Sequence, residues 1–457
     1  MERNKRRLVL LGAELKSLTL LSLPLILAQL AQSSMGFVDT LMAGRVSASD
    51  LAAVAIGSSI WYPIFLLLLG TLSALTPTIS QAHGGGDHDA IKHITPQGIY
   101  LGLIGGLLIL LLLQQADILL PWMAVKPTLI PLIKGYLHGV SWGFPAIAGC
   151  FALRYCSEGL SLTRPSMLVS FFGLAINIIA NYVLVFGKLG FPAMGGIGCG
   201  AATALSMWAM FIGMLLVFWR GSIYRNLHML RFNAPWCWDT QKQLLKLGLP
   251  IGGGLFIECS IFAIIALLLA RFGAQTVAAH QIALNFTAMI FMVPLSIATA
   301  ISVRVSYNIG KQRRLQTLRS VHIGILTAFS ISLLSCAAMA LFPEQCVSIY
   351  NNNSQLLKGA ASLLFFSAIY QIPDAIQVAC AGALRGCKDT KIPMIIQTIS
   401  YWVIGLPVGC YLGLHLQWGA RGFWIGLICG LSSAAAMLGI RLKYTLTKLA
   451  LNRENHH

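Results

Sequence analysis

Long apolar runs recur from one end of the chain to the other, with short polar connectors between them. A helix needs roughly 20 predominantly apolar residues to cross a bilayer. Twelve such runs begin near Leu18, Leu51, Ile91, Leu129, Pro165, Met194, Leu244, Val277, Thr317, Gln355, Pro393 and Gly422. The second, eighth and tenth are long enough to predict tilt or kinks. The connectors are too short to hold a soluble domain, and the period-two alternation of a membrane β-barrel is missing. The predicted class is an all-α integral membrane protein with twelve transmembrane helices.

The pattern repeats. Pro24 in LSLPL matches Pro250 in LGLPI, 226 residues later. The same shift lays Leu51–Ile56 on Val277–Ile282, Arg45 on Arg271, Ser80 on Ser306 and Gly84 on Gly310. Nearby shifts pair Gly159, Thr163 and Met167 with Gly386, Thr390 and Met394, and Gly195 and Gly198 with Gly419 and Gly422. Six spans per repeat is an even number, so both halves enter the membrane in the same sense. Parallel repeats of this kind suit two pseudo-symmetric lobes that rock about a central site. The expected division is a lobe over 1–220, a cytoplasmic linker over 221–243 and a second lobe over 244–457. Trp236-Cys237-Trp238 in the linker reads as an interfacial anchor.

Charge then orients the chain. It is 57% apolar and 10% charged, with a formal net charge of +18. When the 32 Lys and Arg are sorted by alternate sides of the spans, twenty-five fall on one side and seven on the other. Basic loops stay in the cytoplasm, so both termini are expected there. The basicity is topological, and no nucleic-acid partner is expected. The eleven cysteines are scattered through apolar runs without CxxC or metal-ligand spacing, and read as small core residues. The start, MERNKRRLVLLGAELKS, is not a cleavable signal, because Glu14 breaks its apolar run. Asn352-Asn353-Ser354 forms a sequon in an outer loop.

Against this background three acids stand out: Asp39, Glu258 and Asp374. A carboxylate in hydrocarbon is costly and normally faces a bundle interior, a cavity or a partner. On the first span Gln29, Gln32, Gly36 and Asp39 share one face. Asp39 lies roughly 34 Å from Lys16 at 1.5 Å per residue, in the outer part of the span, where an interfacial acid is the competing reading. Glu258 lies near the midplane of the seventh span, with Gln32 as its repeat mate. Gly252-Gly253-Gly254, a turn before it, permits close approach of another helix. Ser367, Gln371, Asp374 and Gln377 share a face of the tenth span with Tyr370, and Pro373 frees a backbone carbonyl there. Two midplane acids in one half fit either proton exchange or a Na⁺ site built on Glu258 and Asp374. Asn177 and Asn181 share a face of the fifth span, as helix glue or as ligands. For His280 and Gln281 helix–helix hydrogen bonding competes with a supporting role. No nucleotide-binding loop, HExxH motif or nucleophile–base constellation is present, so neither an enzyme nor a cofactor is expected.

The runs LILAQLAQSSMGFVDTLMAG, SASDLAAVAIGSSIW, LGLPIGGGLFIECSIF, VAAHQIALNF, YQIPDAIQ and GALRGCKDT resemble multidrug and toxic compound extrusion (MATE) transporters of the bacterial NorM-like branch, and the resemblance covers essentially the whole chain. It implies a V-shaped central cavity and export of cationic amphipathic drugs in exchange for Na⁺ or H⁺. It implies that Asp39 is the first-lobe acid, supported by Asn177, Asn181 and Gln32. It implies that Glu258 and Asp374 form the second-lobe cation site, supported by Tyr370 and Gln281. Some relatives carry a second acid in the fifth helix where Asn177 and Asn181 stand here, which argues against a relay through two first-lobe carboxylates. The expectation is a monomeric antiporter of the bacterial inner membrane, in contact with organic cation drugs and membrane lipids. A lipid-precursor flippase would need cations inside the spans, where they are rare. A membrane enzyme would need a reactive constellation. A channel fits poorly with a twofold lobe repeat.

Overall fold

In a computed structural model, the described residues are 2–115, 120, 126–230, 234–341, 345 and 354–451. The sequon at Asn352-Asn353-Ser354 lies outside the described set except for its Ser354, as do Arg231 and Arg453 of the charge sort. The described residues are almost wholly helical and include no strand. The chain opens with α1 (Glu2–Val46), α2 (Ala48–Leu72), α3 (Leu75–Gly85), α4 (His88–Gln114), α5 (Ile130–Ser141) and α6 (Phe144–Gly159). It continues with α7 (Arg164–Phe186), α8 (Gly196–Arg220), the short α9 (Ser222–Asn226), α10 (Trp238–Leu269) and α11 (Ala274–Gly310). It ends with α12 (Arg314–Leu341), α13 (Ser354–Gly386), a helix over 391–415 and α14 (Ala420–Leu451).

Among the described residues, eleven helical stretches are long and apolar enough to cross a membrane. The twelfth expected run, the one from Leu129, folds as α5 and α6, each too short to count by itself. The break falls at Trp142-Gly143, and Pro145 sits in the first turn of α6, where its missing N–H costs nothing. Every residue of α6 except Pro145 is buried, as expected of a helix that is apolar nearly all round. Prolines inside α1, α2, α4, α10, α11 and α13 (Pro24, Pro63, Pro96, Pro250, Pro294, Pro373) each remove a backbone donor within a span.

The chain divides into two compact units: Pro24–Gly252, and Met1–Leu23 together with Gly253–His457. The first unit is built around Tyr136, Phe144, Phe151 and Phe218. The second has one cluster around Phe423 and Trp424 and another around Ile301, Val305 and Leu438. Two helices contribute to both units. Leu18 and Leu21 of α1 join the Ile301 cluster, while Leu244 of α10 joins the Phe144 cluster.

The start of α1 is fixed in its unit by a partly buried ion pair. Arg304 of α11 donates to Glu14 from Nε (3.0 Å) and Nη2 (2.6 Å), and Ser320 of α12 donates to the same carboxylate. The start of α10 is fixed in the other unit by Gln97 of α4. Its amide nitrogen donates to the Pro235 carbonyl (2.7 Å), and its amide oxygen accepts from the Cys237 N–H (3.1 Å). Gln241 donates back to the Gln97 carbonyl (2.9 Å). Trp236 stacks on Tyr100, and Trp238 is exposed.

Candidate ion-coupling sites

Asp39 is only 6% exposed. Its carboxylate is enclosed by three side chains from two other helices. Asn177 and Asn181, one turn apart on α7, donate to Oδ1 at 3.1 and 2.7 Å. Thr203 of α8 donates to Oδ2 at 2.7 Å. Cys199, one turn from Thr203, lies 3.6 Å from the Asp39 carbonyl. Both carboxylate oxygens are therefore served by donors, the arrangement an ionised acid needs away from water. The structure brings Asp39, Asn177 and Asn181 together. Thr203 is the partner that sequence reading missed. A lone Thr in an apolar helix usually bonds its own backbone, so only the Cys199/Thr203 spacing of four hinted at a polar face.

Gln32 does not join this cage. It is half-buried and lines a cleft with Arg154 of α6 and with Ser166 and Ser170 of α7. Arg154, one of the twenty-five basic residues that the charge sort assigns to the cytoplasmic side, is buried inside α6. Its Nε donates to Glu158 at 2.6 Å, and its guanidinium lies 5.3 Å from the Phe151 ring centre.

In the second unit Asp374 is 1% exposed, and neither carboxylate oxygen has a hydrogen-bond partner. Glu258 of α10 is half-buried. The charges of Glu258 and Asp374 act on one another and on the buried hydroxyls of Tyr370 and Tyr401. The charge of Arg385 also reaches Glu258. On the same helix as Asp374, Oε1 of Gln371 and Oε1 of Gln377 are also without a partner, as is Oγ of Ser400 on the helix over 391–415. The amide of Gln377 donates to the Tyr401 hydroxyl at 2.7 Å, and that of Gln371 to the Thr287 carbonyl at 3.4 Å. The helical face read from sequence (Ser367, Tyr370, Gln371, Asp374, Gln377) is buried throughout. Tyr401 and Ser400 were not foreseen, because they come from a different span.

Gln281 is placed otherwise. It is exposed, and its amide donates to Asn285 at 3.3 Å along its own helix. Its neighbour His280 is the buried one. Neither ring nitrogen of His280 has a partner, and the ring meets Trp424 edge-on, which in turn meets Tyr370. Among the described residues no cluster of three or more His, Cys, Asp or Glu is placed to hold a metal ion. Any ion here would be held by mixed carboxylate, amide and hydroxyl oxygens, the donor set of a hard cation.

A multi-pass helical protein with a sequence repeat and a buried acid in each half has the features of a secondary transporter. The comparisons place it more narrowly. The chain belongs to the MatE family, whose model matches residues 24–183 and again 250–411, two stretches whose starts are offset by the same 226 residues as the repeat. It is 46% identical over 445 residues to the probable multidrug resistance protein NorM of Shewanella oneidensis, covering 95% of each chain. It is 45% identical over 439 residues to the multidrug resistance protein PmpM of Pseudomonas aeruginosa, covering 94% of this chain and 91% of that one. The multidrug resistance protein MdtK of Photorhabdus laumondii is 42% identical over 438 residues, 94% of this chain and 96% of that one. The fold is shared with the eukaryotic MATE transporter AtDTX14, at a TM-score of 0.87 and 20% identity, over 96% of this chain and 99% of that one. It is also shared with an outward-facing multidrug resistance MATE transporter, again at 0.87 and 20%, over 96% and 97%.

Proposed function

We propose that this protein is a multidrug efflux antiporter of the bacterial inner membrane, with both termini cytoplasmic. It exports cationic amphipathic compounds in exchange for Na⁺ or H⁺ and works as a monomer without a cofactor. The observation that carries the reading is Asp374: a buried carboxylate whose two oxygens have no partner, within the field of Glu258. Such a group is expensive to keep unless something positive visits it. A proton neutralises it; a Na⁺ ion is coordinated by it together with Glu258 and the free amide and hydroxyl oxygens. Asp39 plays the matching part in the first unit. Neutralising it removes the reason for Asn177, Asn181 and Thr203 to point at one spot, so occupancy there is felt by α7 and α8.

Coupling requires only that ion and drug bias the same equilibrium in opposite directions. The proposed cycle moves two lobes, 1–220 and 244–457, about the linker over 221–243, with the starts of α1 and α10 each moving with the unit into which it is built. An ionised carboxylate offsets the charge of a bound organic cation. Ion binding then cancels that charge and releases the drug. The supporting relatives are those named as multidrug resistance proteins.

The test is ethidium efflux from proteoliposomes under separately imposed Na⁺ and proton gradients. Asp374→Asn and Glu258→Gln are expected to lower gradient-driven efflux by at least about tenfold, the effect of removing roughly 1.4 kcal/mol of differential stabilisation, while the purified proteins remain folded. Asp39→Asn is expected to do the same. Wild-type efflux from all three variants would remove the basis of the proposal, and the gradient that drives efflux identifies the ion.

A further inference from the structure

The helix over 391–415 carries no acid, yet one of its faces meets both helices that supply the acids of the second unit. Met394, Gln397 and Tyr401 are spaced three and four, and share that face. On α10, a β-carbon placed on Gly253 would stand 3.1 Å from the Met394 sulfur, and one on Gly254 would stand 2.6 Å from Oε1 of Gln397. The two glycines let the helix come up against the α10 backbone, and Glu258 follows Gly254 by one turn. On α13, the amide of Gln377 donates to the Tyr401 hydroxyl at 2.7 Å, and Asp374 precedes Gln377 by three residues on the same buried face. Tyr401 is 3% exposed and lies within the field of both carboxylates.

The backbone that carries this tyrosine is itself unusual. It takes π geometry over Ile399–Gly405, and π turns inside α-helices occur often at functional sites. In a regular α-helix the fourth residue after Gln397 would lead it by roughly 40° around the axis. A wider turn shortens that lead, so Tyr401 comes nearer to standing directly over Gln397. The segment is also held against α14, where a β-carbon on Gly430 would stand 2.9 Å from the Ser400 carbonyl.

We infer that Tyr401 is a further residue of the second-unit ion site, aimed there by the π turn and held by Gln377, and that its hydroxyl sets the ion affinity of the site. The inference rests on the reading of Asp374 and Glu258 as coupling acids. A phenol oxygen that accepts from Gln377 keeps its own proton free to donate. With the acids ionised, that O–H donates to a carboxylate. With Na⁺ present, the same oxygen is a ligand of the kind a hard cation takes. Gln377 acts through the tyrosine, as a positioning residue.

Ethidium efflux from proteoliposomes tests this, measured across a series of Na⁺ concentrations at fixed pH and across a series of pH without Na⁺. In the series that drives the wild type, Tyr401→Phe is expected to move the midpoint by about tenfold in ion concentration, the scale of one hydrogen bond to a charged group, with the maximal rate largely kept. A Na⁺ midpoint rises, because a ligand is lost; a proton midpoint moves to higher pH, because the ionised acid has lost a donor. Gln377→Leu leaves the phenol without its anchor and is expected to move the midpoint the same way by less. Tyr411→Phe is the control on the same helix, since Tyr411 is exposed and stacks on His415; its midpoint is expected to stay in place. An unmoved midpoint in Tyr401→Phe overturns the inference even if the melting temperature falls, because a tyrosine that only packs costs stability without touching the ion dependence. The two failures are distinct. Wild-type efflux from Asp374→Asn defeats the coupling acid and the inference with it, whereas lost efflux from Asp374→Asn beside an unmoved midpoint in Tyr401→Phe defeats the role of Tyr401 alone.

Discussion

Asp39 and Asp374 are both buried acids, yet they are held in opposite ways. Asp39 accepts from three side chains, whereas Asp374 accepts from none. The first is a satisfied charge whose neighbours are organised by it; the second is a charge or an acid waiting for a partner. Thr203→Val keeps the shape and removes one donor. It should destabilise the protein by about 1.5–3 kcal/mol, the usual worth of a hydrogen bond to a charged group, seen as a lower melting temperature, while Thr203→Ser retains most of it. A melting temperature unchanged by the valine would mean that the hydroxyl does not hold the carboxylate. The acids themselves were legible in the sequence because charge in oil is conspicuous. Thr203, Tyr401 and Ser400 were not, because hydroxyls in apolar helices are common and only contact distinguishes one from another. The pair His280 and Gln281 shows the same limit: adjacent polar residues point about 100° apart around a helix, and the sequence does not say which of the two directions is inside.

At the scale of elements, close packing is decided by glycines facing glycines. The helix over 391–415 widens to π geometry at Ile399–Gly405 and Tyr411–His415. It lies so close to α14 that a β-carbon on Gly426 would sit 2.5 Å from the Gly409 Cα. Small residues let backbones approach where no hydrophobic drive exists between helices in lipid. Gly426→Leu forces that contact apart and should cost about 1–3 kcal/mol or more as an overpacked core site. Gly439, beyond the contact, has open space for a side chain, so Gly439→Ala should leave the melting temperature nearly unchanged. Similar behaviour of the two would contradict the close approach. Helix number and approximate limits were legible from hydropathy. The split of the fourth run into α5 and α6, and the π turns, were not, since both answer to neighbours rather than to local composition.

For the whole molecule the exchange of helix starts matters most. Residues up to Leu23 of α1 belong to the unit of Gly253–His457, and α10 as far as Gly252 belongs to the unit of Pro24–Gly252. The repeat prolines Pro24 and Pro250 stand at or within a turn of these two crossings. The Glu14–Arg304 pair and the Gln97 hydrogen bonds each fasten an exchanged start to its adopted unit. Cutting the chain near residue 232 and co-expressing the two pieces should therefore give fragments that co-purify, because each piece carries a segment built into the other's core. Gln97→Ala and Glu14→Ala together should weaken that recovery. Fragments that separate cleanly would show that the exchanged starts contribute little. The repeat itself could be read from the 226-residue shift, but not the exchange, since identical offsets hold whether a helix packs with its own half or the other.

The order of apolar runs and polar connectors, taken alone, determined that this chain is a helical membrane protein in two repeated halves, and that three acids lie where acids are costly. Hydropathy and charge are properties of each residue against its solvent, so they survive without coordinates. Which donors close on Asp39, which oxygens gather near Asp374, and where α1 and α10 change company were decided only by tertiary structure. Those depend on which faces of distant helices meet, and contact between faces is not encoded in any single segment.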